Sequence, residues 1–199
     1  MKILHACLVA STLFGGATAS ANELLTDPGF DQGDTFWGKF GNADFNMFFG
    51  SNPHASFFAD GAGNFGGVFQ TGIAGSEGTV YTFSLTNVRI ESNFNADFRF
   101  GLEFYAADDA TKLGESFFNI DTSNPTDGLV TGDGLSFTHD ATAVAGTVFV
   151  RPVILFDNAA PLGSGQGNAF VFTASLVPAP GAAGLLLAGT AFAARRRRG

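Results

Sequence analysis

The sequence predicts an all-β fold, an antiparallel β-sandwich of two sheets, and three observations carry that prediction. Several short runs place apolar residues at every second position, the period of a strand with one face buried. Clusters of Gly, Asn and Asp interrupt those runs at short intervals, and residues 22–176 show no convincing amphipathic helix. Phenylalanine occurs 24 times in 199 residues and concentrates in the predicted strands, where each buried ring contributes about 1.5 to 3 kcal/mol.

The first 21 residues stand apart from this pattern. Lys2 supplies a short positive region, residues 3–14 are mostly apolar, and Ala17-Thr18-Ala19-Ser20-Ala21 places small residues, Ala19 and Ala21 among them, at the spacing a signal peptidase reads. The expected cut follows Ala21. Cys7 is the only cysteine and lies in this leader, so the exported chain carries neither disulfide nor thiolate chemistry.

Within the expected domain of residues 22–176, Asp97-Phe98-Arg99-Phe100-Gly101-Leu102-Glu103-Phe104 puts four apolar side chains on one face. Tyr81, Phe83 and Leu85 alternate in the same way, whereas Val88 and Ile90 fall on the opposite parity. A bulge or break near Thr86 and Asn87 restores the face. Residues 147–156 are apolar on both parities and read as a covered strand, with Pro152 requiring an edge or a bulge. Residues 168–176 form a last strand. Gly61-Ala62-Gly63-Asn64-Phe65-Gly66 matches a dinucleotide-binding glycine pattern by letter, but a strand follows instead of a helix, so it reads as a hairpin loop. Asp121, Asp127 and Asp133 miss the EF-hand register and read as a turn-rich linker. Fourteen phenylalanines between Phe57 and Phe172 lie in predicted strands, most of them expected in the core.

Charge narrows the function. All eighteen Asp and Glu lie in the domain against only Lys39, Arg89, Arg99, Lys112 and Arg151, so the domain is far more acidic than the whole-chain charge of -8 suggests. Such a surface repels nucleic acid and favours a neutral ligand or divalent cations. Phe36, Trp37, Phe40, Phe45, Phe48 and Phe49 crowd a polar, Gly-rich segment. Here Trp37, the only tryptophan, is the candidate platform for a sugar ring, with Asn42, Asp44 and Asn46 to satisfy its hydroxyls. The competing reading makes Trp37 a core plug. No catalytic residues are assigned, because His54 and His139 sit in no nucleophile or metal motif. Glu91, Glu103 and Glu115 could form a glycosidase pair only through a spatial separation that sequence does not give.

The C-terminus carries an address. Val177-Pro178-Ala179-Pro180 precedes an apolar run and the stop Arg195-Arg196-Arg197-Arg198. Residues 177–194, as a helix of about 27 Å, almost match a bilayer core of about 30 Å, with the arginines held in the cytoplasm. With the leader and the Gly- and Asn-rich domain, this tail of residues 177–199 resembles the PEP-CTERM proteins of Gram-negative bacteria. Ala179 stands where that family commonly has Glu, closer to a Val-Pro-Leu-Pro-Ala-like variant. The resemblance implies export, transient anchoring in the inner membrane, processing by an exosortase-like transpeptidase, and a place at the cell surface or in extracellular polysaccharide. A plain membrane anchor that is never cut is the alternative.

The domain resembles the galactose-binding-like jelly rolls of carbohydrate-binding modules. The resemblance rests on Glu23-Leu24-Leu25-Thr26-Asp27-Pro28-Gly29-Phe30-Asp31, Gly66-Gly67-Val68-Phe69-Gln70-Thr71, Gly78-Thr79-Val80-Tyr81-Thr82-Phe83-Ser84 and Ala169-Phe170-Val171-Phe172-Thr173-Ala174-Ser175-Leu176. It implies a non-catalytic polysaccharide-binding module. A structural or adhesive surface protein is the alternative, and an exported hydrolase fares worst. Thr173 and Ala174 occupy the place of the family's calcium-holding aspartate, so no metal ligands carry over.

Overall fold

The computed structural model describes residues 22–49, 52–59, 61–122, 134–159 and 167–179. Their strands form two antiparallel sheets. Sheet I runs in the order β1 (Gly38–Gly41), β4 (Gly66–Phe69), β10 (Phe149–Asp157), β7 (Asp97–Tyr105), β8 (Lys112–Ile120), and the short β5 (Ile73–Ala74) also pairs with β10. Sheet II runs β2 (Ala43–Phe49), β3 (Asn52–Ala59), β11 (Gly167–Pro178), β6 (Val80–Ile90), β9 (Leu135–Thr142). One turn of 3-10 helix, Gly33–Thr35, precedes β1. This is the two-sheet sandwich that the alternation predicts.

Phenylalanine holds the sheets together. Phe98, Phe100, Leu102 and Phe104 of β7 are 0 to 1 % exposed, and Phe57 of β3 and Phe83 of β6 meet Phe98 and Phe100 at ring separations of 5.1 and 5.5 Å. Tilted rings at this range add to the burial term. The parity change in β6 is a bulge: Leu85 pairs with Phe137 but Val88 with Leu135, and Asn87 takes a φ of 55°. The extra residue returns Val88 and Ile90 to the core. β11 changes parity at the same level, burying Ala169 and Val171 and then Ala174 and Leu176, with Val171 opposite Val88 and Ala174 opposite Leu85.

Four expectations are corrected. The edge reading of Pro152 fails, for β10 has neighbours on both sides, whereas the bulge alternative fits, because residues 151 and 152 oppose the three residues 70–72 between β4 and β5. The proline is tolerated because pairing on one side is interrupted: Val153 opposes Phe69 of β4, Val150 opposes Ile73 of β5, and the Pro152 carbonyl between them accepts from Gln70 N at 3.2 Å. The missing N–H faces that gap. Secondly, the glycine segment 61–64 is a crossover from β3 in sheet II to β4 in sheet I and not a hairpin.

The last strand also outruns its expected end. Val177 and Pro178 pair with Thr82 and Tyr81, and Ala179 N donates to Val80 O at 2.8 Å, so the start of the expected tail is built into sheet II. Finally, Phe170 and Phe172 are buried on the outer face of sheet II beside the His54 ring, at 5.5 and 5.0 Å, and Phe118 is 39 % exposed. The leader with Ala19 and Ala21, Pro180, the apolar run and Arg195, Arg196, Arg197 and Arg198 lie outside the described residues, as do Asp127 and Asp133. Among the described residues no helix is long and apolar enough to cross a membrane.

Candidate functional site

The structure withdraws Trp37 from the polar residues that the sequence groups with it as a sugar site, while Asp44 and Asn46 share one face of β2. Trp37 is 2 % exposed, packs on Phe30 at 4.9 Å, and donates its indole N–H to the Asp27 carbonyl at 2.8 Å. An indole so enclosed offers no face to a ligand, so the platform expectation is corrected in favour of the core plug. Asn42 links the sheets through its backbone, its N–H donating to Phe65 O and its carbonyl accepting from Phe58 N. Asp44 pairs with Lys39 at 2.6 Å, and Lys39 also reaches Asp34 at 3.2 Å. The hydrogen bond that Lys39 donates to Asp44 raises the Lys39 pKa against the opposing effect of burial. Burial pushes the Asp44 carboxyl up, but the bonds from Lys39 and from Phe45 N–H prevail and lower it. Asn46 lies opposite His54 in the β2–β3 pairing.

Beside Lys39 the opening loop forms a cleft of about 330 Å³. Phe45 and Pro53 give it an apolar wall with the buried Phe30 behind them, and Asp31, Gln32 and Asp34 give it a polar rim. Asp27 braces this loop, its buried carboxylate accepting from the N–H groups of Asp31 and Gln32 at 2.9 and 3.0 Å. Phe30 is held at a φ of 58°, a conformation that costs a non-glycine residue roughly 1 to 3 kcal/mol. Gly33, at φ 42°, brings the helical turn against Phe45, where a Cβ would stand 3.0 Å from that of Phe45.

A second aromatic surface covers the outer face of sheet I. Gly38 opposes Phe69 and Phe40 opposes Gly67, so each ring crosses to the glycine of the neighbouring strand. A Cβ on Gly38 would lie 2.4 Å from the Phe69 ring and one on Gly67 2.5 Å from the Phe40 ring, which means that both rings lie low over the backbone. Phe40 is 6.3 Å from Phe69 and from Phe65, and Phe65 is 57 % exposed. Phe117 packs against Gly101 on β7 in the same way.

Polar groups flank these rings. Arg151 lies over Tyr105 at 4.0 Å and over Phe69 at 5.5 Å, and its guanidinium donates to the Tyr105 hydroxyl at 2.8 Å. That hydroxyl donates to Glu103 at 2.7 Å, and Lys112 bridges Glu103 and Glu115 at 3.2 and 2.7 Å. Burial and then Glu103 push the Tyr105 pKa up to about 12. Glu103 and Glu115 are thus cross-strand neighbours joined through one lysine, and Glu91 caps the start of β11 by accepting from Asn168 N at 2.9 Å. Each of the three thus has a structural partner.

The remaining chemistry is sparse. Ser116 Oγ and His139 Nε2 lie 2.9 Å apart, but no carboxylate among the described residues bonds the other ring nitrogen, which a nucleophile-and-base pair needs for orientation. Thr173 and Ala174 lie in the β11–β6 pairing, and Ala174 N donates to Pro28 O at 2.8 Å. Among the described residues no three His, Cys, Asp or Glu come together as a metal site.

The sequence carried one signal for the outer face. Gly38-Lys39-Phe40 and Gly67-Val68-Phe69 share a Gly-x-Phe spacing that places glycine and ring on one side of a strand, and antiparallel pairing then sets each ring over the other's glycine. No periodicity points to which two strands pair, so this reading needs the fold.

Neither a protein-family model nor a curated protein matches the chain. Solved structures do match in fold. A family-61 carbohydrate-binding module in complex with β-1,4-galactotriose aligns with a TM-score of 0.51 at 13 % identity, over 79 % of this chain and 99 % of that one. A family-16 carbohydrate-binding module gives 0.51 at 13 % identity over 77 % and 99 %. The enzymatically active domain of tailspike protein 4 of bacteriophage CBA120 gives 0.54 at 8 % identity, over 77 % of this chain and only 21 % of that one. At such identities the likeness shows a shared β-sandwich.

Proposed function

We propose that this protein is a non-catalytic carbohydrate-binding domain that lays a polysaccharide along the outer face of sheet I. The observation that carries the reading is the pair of Phe rings, Phe40 and Phe69, lying low over Gly67 and Gly38 on a face with Phe65 exposed beside them. Sugar rings present apolar C–H faces to such surfaces, and Arg151, Glu103 and Lys112 alongside can meet the hydroxyls. The acidity of the domain favours a neutral polymer over an anionic one. Two of the fold neighbours are described as carbohydrate-binding modules and one was solved with a galactotriose, which makes β-1,4-galactan the first polymer to try. A purely structural or adhesive surface protein would turn its aromatic rings inward, and the outward set on sheet I argues against that alternative.

Export belongs to the same proposal. The leader and the Val-Pro-x-Pro tail support passage through the inner membrane and delivery to the cell surface by an exosortase-type system. Affinity electrophoresis of the protein through gels containing β-1,4-galactan, xylan or β-glucan tests the binding. We expect retardation by at least one polymer, and weakening of about tenfold, or 1.4 kcal/mol, in Phe40→Ala and Phe69→Ala. Unchanged mobility in every polymer would end the carbohydrate reading.

A further inference from the structure

We infer that the cleft beside β1 is a second binding site, sized for one neutral sugar ring at the end of a chain, distinct from the open face of sheet I. The inference rests on the carbohydrate reading above, and its test separates the two. Size comes first. A cleft of about 330 Å³ stands at the lower end of small-molecule sites, which span about 300 to 1,000 Å³, a size that accommodates one sugar ring.

The lining decides the chemistry. Phe45 and Pro53 offer C–H and ring surface on one side, with Phe30 stacked behind Phe45 at 6.1 Å and an interplanar angle of 24°. On the other side Asp31, Gln32 and Asp34 present oxygen acceptors and one amide donor. An apolar wall opposite hydroxyl acceptors matches a pyranose, whose two faces and rim divide the same way. An anion would meet two carboxylates, and a metal ion would find one wall of the cleft without donors.

The site is also rigid before any ligand arrives. The Asp27 carboxylate fixes the backbone of Asp31 and Gln32, the Trp37 indole fixes the Asp27 carbonyl, and Phe30 is retained at a left-handed φ by that packing. A backbone strained on a cleft wall is what a preorganised site contains. Trp37 therefore serves binding from beneath the loop, two contacts from the ligand, which explains its presence in this segment better than exposure would.

Position gives the site its meaning. Lys39 and Phe40 are neighbours on β1 and point to opposite sides, Lys39 to Asp34 at the cleft rim and Phe40 to the aromatic face. The cleft and the face are thus separated by one edge strand. A polymer on the face and a chain end in the cleft are two recognitions, of interior units and of the terminus.

The test uses the 15N-labelled full-length chain titrated with methyl β-galactoside, methyl β-glucoside and methyl α-mannoside, then with calcium chloride, followed by amide NMR. Saturable shifts at Asp31, Gln32, Gly33 and Asp34 with at least one glycoside are expected, with affinity falling at least fivefold in Asp31→Asn and Asp34→Asn. Both side chains are on the exposed rim, so the fold is retained, and retention by the polysaccharide gel stays unchanged in both variants. Shifts confined to Phe40, Phe69 and Arg151 would overturn the cleft while leaving the face intact. A response of the cleft amides to calcium alone would also overturn it, in favour of a cation site. Silence of both regions toward every saccharide would overturn both readings together.

Discussion

Trp37 shows how a single residue's role turns on three neighbours. Its indole N–H bonds the Asp27 carbonyl and its ring supports Phe30, so the substitution Trp37→Phe removes one hydrogen bond and some buried area. We expect a loss of about 1 to 3 kcal/mol in urea unfolding with retained polysaccharide binding at low temperature. Binding abolished in a fully folded Trp37→Phe protein would return the indole to the ligand. His54 makes a pH prediction. Burial pushes its imidazole below the usual 6.5, only partly offset by the contact of Nδ1 with Asn52 O at 2.9 Å. Above about pH 6.5 both folded and unfolded chains carry the neutral ring. As pH falls from there through the folded pKa, the unfolded chain takes the proton first and stability is lost. The melting temperature should therefore drop between about pH 7 and pH 5, and a His54→Phe variant should flatten that part of the curve. An identical slope in both proteins would place the titration elsewhere.

Strands set the next scale. Pro152 interrupts no ladder bond because β4 and β5 leave a gap opposite it, but its ring is buried opposite Leu102, so Pro152→Ala should cost about 1 to 2 kcal/mol through lost packing, measured by denaturant midpoint. An unchanged midpoint would mean that the ring contributes no packing. The two Gly-x-Phe strands behave differently. A side chain at Gly67 must displace the Phe40 ring or the Leu155 Cβ, 2.5 and 2.8 Å from its Cβ position. Gly67→Val should cost about 1 to 3 kcal/mol and reduce galactan retention with it, as read by thermal melting and gel mobility. Much of the element level is legible beforehand. The alternation of Phe98, Phe100, Leu102 and Phe104 and the bulge between Leu85 and Val88 follow from period-two burial alone. The edge alternative for Pro152 and the hairpin reading of residues 61–64 fail because each depends on a partner strand far away in sequence, which local pattern does not encode.

At the scale of the whole molecule, both ends of the described domain meet. Leu24 N donates to Leu176 O, and the Glu23 carboxylate accepts from the N–H groups of Leu25 and Leu176, each at 2.9 Å. With Val177, Pro178 and Ala179 paired in the sheet, residues 180–194 would span only about 22 Å as a helix, short of a bilayer core of about 30 Å. A full span would require the end of β11 to unpair from β6. Intact-mass measurement of the protein from cells and from medium reports the leader cut and any tail cut together. The overall charge supplies another expectation: if the proposed polysaccharide is neutral, raising sodium chloride from about 0.1 to about 0.5 M should leave its affinity within about twofold. A steep salt dependence would indicate an ionic ligand.

The sequence by itself determined the two-sheet class, the strand that holds the Phe98 face and the acidity, because these depend on composition and on a period of two residues. Only the tertiary structure decided which aromatic rings are enclosed and which lie on the outer face of sheet I. Trp37 and Phe69 differ in fate because Asp27 draws one indole inward while Gly38, on the neighbouring strand, lets the other ring lie against the backbone from outside. Both outcomes come from contacts between residues distant in the chain or placed by a loop's fold, and such contacts exist only after the sheets have closed.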